Sequence, residues 1–169
     1  MYKLKFTLLQ QEILRFLSIK SGLSFNARRL SQHLNVSQTA IAKSLPLLEK
    51  ENFIKIEKDR ESARLAIELN RDSPKVIQFK RAENLKLIYE SGLIDFLKQK
   101  FSESEIILSG LYSKGEDIYS SIIYLIIIGP KKNLNLNDFD KILDRRINLV
   151  FYNSINEIDN KILTEGIEL

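Results

Sequence analysis

The sequence predicts an α+β protein with three parts: an N-terminal helix-turn-helix module with a β-hairpin, a connector helix, and a C-terminal mixed α/β sheet domain. The first part is indicated by helix-capping residues that occur twice in residues 25–54, followed by two runs that alternate apolar and polar side chains. The third part is indicated by near-continuous apolar strands that alternate with helical patterns after residue 104. We place the parts at residues 1–72, 73–101 and 102–169.

The composition is typical of a folded protein in a reducing compartment. Of the 169 residues, 44% are hydrophobic and none is cysteine, so a core can form but disulfides and thiolate metal sites cannot. The N-terminus lacks a secretory pattern, and the longest apolar run, residues 122–128, is too short to cross a bilayer. We therefore expect a cytoplasmic protein with no membrane partner.

The positive charge is concentrated in the first part of the chain. Residues 1–72 contain 13 Lys and Arg against 8 Asp and Glu, whereas residues 73–169 contain 13 against 14. Basic surfaces bind nucleic acids because neutralised phosphates release their counterions. The distribution favours a polyanionic partner for the N-terminal part.

Three helices are predicted in the N-terminal module. A stripe of apolar residues predicts the first over residues 7–20, and Gly22 ends it. Asn26 can cap a short second helix, and the turn "LNVS" separates it from a third helix that Ser37 caps. Two helices joined by a tight turn in this way form a helix-turn-helix.

Residues 53–58 and 63–69 alternate apolar and polar side chains around the turn "DRES", which predicts a β-hairpin. A helix-turn-helix followed by a hairpin resembles the winged helix-turn-helix family of transcription regulators, and the resemblance covers nearly all of residues 6–70. It implies that the helix beginning at Ser37 enters the major groove of DNA with its N-terminal half. The residues of this helix predicted to point away from the core are Gln38, Thr39, Ala40, Lys43 and Ser44.

The resemblance also implies which side chains contact DNA. Gln38 can reach adenine, Thr39 can touch a thymine methyl group, and Lys43 can meet guanine or a phosphate. Basic residues early in the second helix and around the hairpin tip are expected at phosphates or in the minor groove. The predicted DNA-binding residues are Arg28, Arg29, Ser37, Gln38, Thr39, Lys43, Lys58, Arg60 and Arg64. The alternative is that they are surface polar residues of a module that binds protein.

The connector is predicted to be a packed helix that begins at Pro74 and breaks at Gly92. Its apolar face indicates contact with the second domain, a second subunit, or both. The residues of this face are Val76, Ile77, Phe79, Leu85, Leu87, Ile88 and Tyr89. The basic stretch "FKRAENL" is alternatively a phosphate-facing edge.

The last part is predicted as a strand at 106–108, a turn, a strand at 122–128, a helix at 136–143, a strand at 147–152 and a helix at 155–163. Its segment "LSGLYSKGEDIYSSIIYLIII" resembles the nucleotidyltransferase superfamily in its small stand-alone form, and the similarity covers about residues 85–169. The matching positions are Gly110, Tyr112, Lys114, Gly115, Glu116, Asp117, Ser121 and Leu125. A winged helix joined to such a domain resembles a group of archaeal proteins described as predicted transcription regulators.

The chain departs from the superfamily's pattern where the resemblance places catalysis. Leu111 replaces the serine of the turn, Ile122 and Tyr124 replace two metal-binding aspartates, and Asn148 replaces the aspartate of the third strand. Nucleotidyl transfer needs metal ions held by carboxylates, which these side chains do not provide. We therefore predict a domain without catalytic residues, metal or cofactor.

Alternatives remain open for the glycine-rich turn. Its backbone N–H groups could cup a phosphate, or the glycines could simply make the turn. The residues of such a cradle would be Gly110, Ser113, Lys114 and Gly115. Glu116 and Asp117 could hold a relocated metal ion, although they lie in a loop rather than on a strand.

These patterns predict a DNA-binding transcription regulator whose second domain serves dimerisation, docking or sensing. The expected partners are double-stranded DNA and a second copy of the chain, with a nucleotide or a protein left open as effector. Two rival functions remain: an active nucleotidyltransferase that a winged helix directs to its target, and an antitoxin-like protein-interaction module.

Overall fold

A computed structural model of the protein describes residues 6–58 and 65–169. The fold is α+β, as predicted, and the chain divides into two compact units, Met1–Val76 and Ile77–Leu169. Most of the predicted connector therefore belongs to the second unit. In the described ranges, every helix is too short or too polar to cross a lipid bilayer.

The first unit begins with three helices, α1 (Leu8–Ile19), α2 (Ala27–His33) and α3 (Gln38–Lys50). As predicted, the side-chain oxygens of Asn26 and Ser37 cap α2 and α3, because they accept hydrogen bonds from the N–H groups of Arg29 and Ala40. The turn between α2 and α3 contains Asn35 in the left-handed backbone region, with a φ of 52°. The two capped helices and the tight turn between them lie where the sequence predicts them.

A capping box that the sequence interpretation did not identify starts α1. The hydroxyl of Thr7 accepts a hydrogen bond from the N–H of Gln10 at 3.2 Å, and the side-chain oxygen of Gln10 accepts one from the N–H of Thr7 at 2.9 Å. The amide nitrogen of Gln10 also donates to the carbonyl oxygen of Ser44 in α3, at 3.1 Å. One buried side chain thus fixes both the start of α1 and its contact with α3.

The hairpin follows α3. Strands β1 (Ile54–Lys58) and β2 (Leu65–Leu69) pair antiparallel, with Ile56 opposite Ile67. Phe25, which precedes α2, forms a β-bridge to Ile67. The two backbone hydrogen bonds of this bridge have nitrogen to oxygen distances of 2.9 and 2.7 Å. The sheet therefore ties the hairpin to the helices. The predicted hairpin tip, residues 59–64, lies outside the described residues.

The second unit is built around a four-stranded sheet. In chain order its elements are α4 (Pro74–Glu90, which starts in the first unit), α5 (Leu93–Lys100), β3 (Glu105–Ser109), α6 (Gly110–Lys114), β4 (Ile123–Ile128), α7 (Asn137–Leu143), β5 (Ile147–Tyr152), a 3-10 turn (Ile155–Glu157), α8 (Asn160–Glu165) and β6 (Ile167–Glu168). The strand order is β5-β4-β3-β6. Strand β3 is antiparallel to β4 and β6, and β4 is parallel to β5.

Two predicted elements differ from the structure. The turn after β3 is a short helix, α6, because Gly110 and Gly115 stand at its two ends rather than in a loop. The predicted final helix is interrupted after the 3-10 turn, since the carboxylate of Asp159 accepts a hydrogen bond from the N–H of Lys161 and starts α8 anew.

The sheet has two different faces. Leu108, Leu125 and Ile127 lie on one face and pack with Leu93 and Leu97 of α5 in the main core of the unit. The opposite face carries a smaller apolar cluster of Ile107, Ile126 and Ile158, beside α8. The main core thus forms between the sheet and the helices that precede it, whereas the second face is only partly covered.

Candidate nucleic-acid interface

Helix α3 separates apolar from polar side chains as the sequence predicts. Its inner stripe, Ile41, Leu45 and Leu48, is at most 4% exposed and belongs to the core of the first unit. Gln38, Thr39 and Lys43 are exposed on the other side. A capped helix with an exposed polar N-terminal half is the geometry by which a helix-turn-helix reads a major groove.

The interpretation was wrong for Ser44, which is buried instead of facing outward. It is 8% exposed, its hydroxyl donates to the carbonyl oxygen of Ala40 at 2.9 Å, and its own carbonyl accepts the hydrogen bond from Gln10. The physical reason is position: residue 44 lies three residues after Ile41 and four before Leu48, so it falls on the core stripe.

Exposed basic side chains also occur at the start of α2 and at the end of β1. Arg28 and Arg29 are exposed in the first turn of α2, and Lys58 is exposed at the end of β1. Within the described ranges, no ion pair joins any of these three side chains to another described residue, and the same is true of Lys43. Their charges are thus available to phosphates. Arg60 and Arg64, also predicted to contact DNA, lie outside the described residues.

Ser37 caps α3 and is also one of the predicted DNA-binding residues. Its hydroxyl oxygen accepts the hydrogen bond from the N–H of Ala40, at 3.1 Å, and the residue is exposed. The hydroxyl proton can still donate to a phosphate oxygen while the lone pair caps the helix. The two roles are compatible.

In the second unit, three residues of the predicted phosphate cradle have internal contacts. Ser113 is 1% exposed and donates to the carbonyl oxygen of Gly110 at 2.9 Å. The ammonium group of Lys114 lies 2.5 Å from the carboxylate of Glu165. The ion pair joins α6 to the end of α8, and the cradle stays a prediction.

Gly115 is required by a close approach of two backbones. Its φ is 75°, and a Cβ at this position would lie 2.3 Å from the carbonyl oxygen of Ile77 and 2.7 Å from the backbone nitrogen of Arg81. Only glycine lets the end of α6 approach α4 so closely. This observation supports a packing role for Gly115.

The positions that the resemblance assigns to carboxylates meet at one end of the sheet. Tyr124 of β4 stands opposite Asn148 of the parallel strand β5 and opposite Ser109 of β3, so the three side chains share one face. Ile122 precedes β4. Over the described ranges, no group of three or more His, Cys, Asp and Glu residues is arranged to hold a metal ion.

A buried charged cluster was missed by the sequence interpretation. Asp117 is fully buried, and one of its oxygens accepts hydrogen bonds from the ammonium group of Lys80 and, at 2.6 Å, from the amide of Asn84. Arg145 is 5% exposed, and its Nη2 lies 3.5 Å from the other oxygen of Asp117. We refer to these four residues as the Asp117 cluster.

The Asp117 cluster corrects two interpretations. Lys80 is 2% exposed, so the stretch "FKRAENL" does not present this lysine to a phosphate. Asp117 cannot serve a relocated metal ion in this arrangement, because two cationic side chains already occupy its surroundings. A spacing of four could have shown that Lys80 and Asn84 are buried, because they form one buried row along α4 with Val76 and Ile88.

Three side chains of the second unit have shifted pKa values. Burial raises the pKa of the Tyr112 phenol well above its ordinary value, and the nearby Asp117 carboxylate adds to the effect, so the phenol stays protonated. At the surface, the hydrogen bond between Lys114 and Glu165 lowers the pKa of the carboxyl and raises that of the ammonium group.

Comparison with known proteins gives only weak likenesses. No protein-family model matches the chain, and no curated protein matches it. Among solved structures, the adhesin competence repressor AdcR from Streptococcus pyogenes is 25% identical over 60% of this chain and 71% of its own, with a TM-score of 0.46. ZitR from Lactococcus lactis is 18% identical over 61% and 67%, with a TM-score of 0.45. Scores this low establish neither a common fold nor a common function.

Proposed function

We propose that the chain is a DNA-binding transcription regulator whose first unit is a winged helix-turn-helix. The observation that carries the proposal is the exposed polar half of α3. Gln38, Thr39 and Lys43 face solvent at the capped end of the helix, while the opposite stripe is buried. An α-helix fits the major groove of B-DNA, which is about 12 Å wide.

The exposed residues have complementary chemistry for DNA. The amide of Gln38 can form two hydrogen bonds with adenine, and Lys43 can meet guanine or a phosphate. Arg28, Arg29 and Lys58 supply positive charge for the phosphate backbone, which positions the helix without reading sequence. The same features would be unusual on a surface that docks an apolar protein partner.

For the second unit we propose a role without catalysis, in dimerisation, docking or sensing. It is supported by Ile122, Tyr124 and Asn148, none of which offers a carboxylate for a metal ion. A twofold dimer would let two copies of α3 contact two half-sites one helical turn apart.

The test is selection of double-stranded DNA from a random-sequence pool, followed by fluorescence anisotropy with the selected site at several salt concentrations. We expect one consensus, repeated with twofold symmetry, and affinity that rises as salt falls. Lys43→Ala should weaken binding about tenfold or more if the lysine reads guanine, or should reduce the salt slope by about 1 if it contacts a phosphate.

Lys50→Ala is the matched control, because Lys50 is exposed at the other end of the same helix. It should bind the selected site like the unmodified protein. Absence of binding at low salt, or equal losses in the two variants, would contradict the proposal and favour a protein-interaction module. Transfer of labelled nucleotide from ATP and Mg²⁺ would contradict the non-catalytic role.

A further inference from the structure

The second unit contains a cavity of about 380 Å³ on the face of the sheet beside α8. Its volume lies within the range of small-molecule sites. Apolar and aromatic side chains form most of its wall: Tyr124, Ile126, Val150, Tyr152 and Ile162. The floor belongs to β4 and β5, which are central and edge strands of the sheet, so a rigid element shapes it.

The cavity is elongated along the strands. Tyr124 stands opposite Asn148, and Ile128 stands opposite Tyr152, so the two tyrosines lie four positions apart along a parallel pair. At a rise of about 3.3 Å per residue they mark the ends of a floor about 13 Å long. Ile126 and Val150, also opposite each other, lie between them. A ligand that fills this space must be long and largely apolar.

Charged groups lie along one side of the cavity only. Lys114 and Glu165 form the ion pair described above, and Lys161 lies four residues before Glu165 on the same side of α8. The three are the charged residues of the lining, which carries one net positive charge. Lys161 makes no ion pair with any other described residue. The cavity can therefore balance one negative charge at its rim.

We infer that this cavity binds an elongated amphipathic monocarboxylate, with its chain along Ile126 and Val150 and its carboxylate at Lys161. Burial of the chain supplies affinity in proportion to the apolar area removed from water. A nucleoside triphosphate fits poorly, because it brings about four negative charges and a bound cation, for which the wall offers neither enough positive charge nor a cluster of carboxylates. This binding is independent of the DNA-binding proposal and goes beyond it.

The test is isothermal titration calorimetry of the full chain with sodium decanoate below its micelle-forming concentration. We expect one site per chain and a negative heat-capacity change, which marks burial of apolar surface. Lys161→Ala should weaken decanoate binding about tenfold while leaving the binding of decanol, which has no charge, nearly unchanged. Lys141→Ala, at an exposed lysine of α7 outside the lining, is the matched control and should bind decanoate normally.

A second variant blocks the space instead of the charge. Val150→Trp should fill the middle of the cavity and abolish binding of both decanoate and decanol, with circular dichroism as the check on folding. If that variant does not fold, the comparison of Lys161→Ala with Lys141→Ala still decides. Several weak sites per chain, no heat with decanoate, equal loss in both lysine variants, or competition by ATP with Mg²⁺ would each overturn the inference.

Discussion

The carboxylate of Asp117 and the ammonium group of Lys80 form an ion pair that is sealed from solvent within the second unit. Desolvation of buried charges costs several kcal/mol per ion, and only close partners offset it. Asn84 and Arg145 complete the surroundings of the carboxylate. The cluster therefore depends most on Asp117, because Lys80, Asn84 and Arg145 all share its carboxylate.

We expect Asp117→Asn to lower the free energy of unfolding by about 3–5 kcal/mol, because it removes the buried carboxylate that Lys80 and Arg145 share. Lys80→Met should have a smaller effect, since Asp117 and Arg145 remain as an oppositely charged pair. Urea denaturation of the full chain followed by circular dichroism measures both. Glu116→Gln, at the exposed neighbour of Asp117, is the control and should be close to neutral.

This expectation changes how an activity test must be designed. Loss of any activity in an Asp117 variant would reflect unfolding of the second unit as readily as loss of a catalytic acid. A destabilisation by Asp117→Asn no larger than that by Glu116→Gln would contradict the structural role. In that case the carboxylate would again be a candidate for chemistry.

Gly115→Ala should destabilise the chain more than Gly92→Ala. Both glycines have a φ of 75°, but an added Cβ meets nothing within 4 Å at Gly92, whereas at Gly115 it meets the backbone of α4. Gly92→Ala should thus show only the left-handed strain of about 1–2 kcal/mol. Overpacking should add about 1–3 kcal/mol at Gly115. Chemical denaturation of both variants gives the difference, and equal losses would show that the close approach is relaxed in solution.

Gln10→Ala should lower the stability of the first unit by about 1–3 kcal/mol, because it removes the side-chain half of the capping box and leaves the buried carbonyl of Ser44 without this donor. Thermal unfolding monitored at the helix signal is the measurement. Gln11→Ala, at an exposed glutamine that donates to the carbonyl oxygen of Phe6, serves as comparison. If the two variants unfold at the same temperature, the hydrogen bond between α1 and α3 contributes little to stability.

The Lys114–Glu165 ion pair should make stability weakly dependent on pH. The hydrogen bond lowers the pKa of Glu165 in the folded chain, so its contribution is present above the unfolded value of 4.5 and is lost as pH falls through the folded value. For Lys114, whose pKa is raised, the contribution is present below 10.5 and is lost as pH rises through the folded value.

Glu165→Gln should therefore lose less stability than the unmodified chain when the pH falls below 4.5. The difference should be small and should shrink with added salt, since both side chains are partly exposed. Urea denaturation at a series of pH values measures it. Glu103→Gln, at an exposed carboxylate, should follow the unmodified chain. A larger loss of stability at low pH in Glu165→Gln than in the unmodified chain would contradict this expectation.

The helices of the first unit were predictable because their signals are local. Asn26 and Ser37 cap the helices that follow them directly, and the apolar stripe of α3 lies within a single helix. The hairpin was predictable for the same reason, from the alternation in β1 and β2. Ser44 was misjudged because it is polar, although its spacing from Ile41 and Leu48 places it on the buried stripe.

The second unit was less predictable because its polar interior is non-local. Lys80 and Asp117 are 37 residues apart, and nothing near either of them in sequence shows that they meet. Likewise, Gly115 is typical of a turn, but the contact that requires glycine is made with α4. Local patterns predicted the strands, whereas the partners of buried charges depend on the completed fold.

The burial of Lys80 and Asn84 also decides where the chain can be divided. A fragment of residues 102–169 would follow the predicted boundary, yet it would lack α4 and α5 and would expose the apolar face of β3 and β4. Such a fragment should aggregate on expression. A fragment that begins at Pro74 retains every member of the Asp117 cluster and is the shorter polypeptide that we expect to remain soluble.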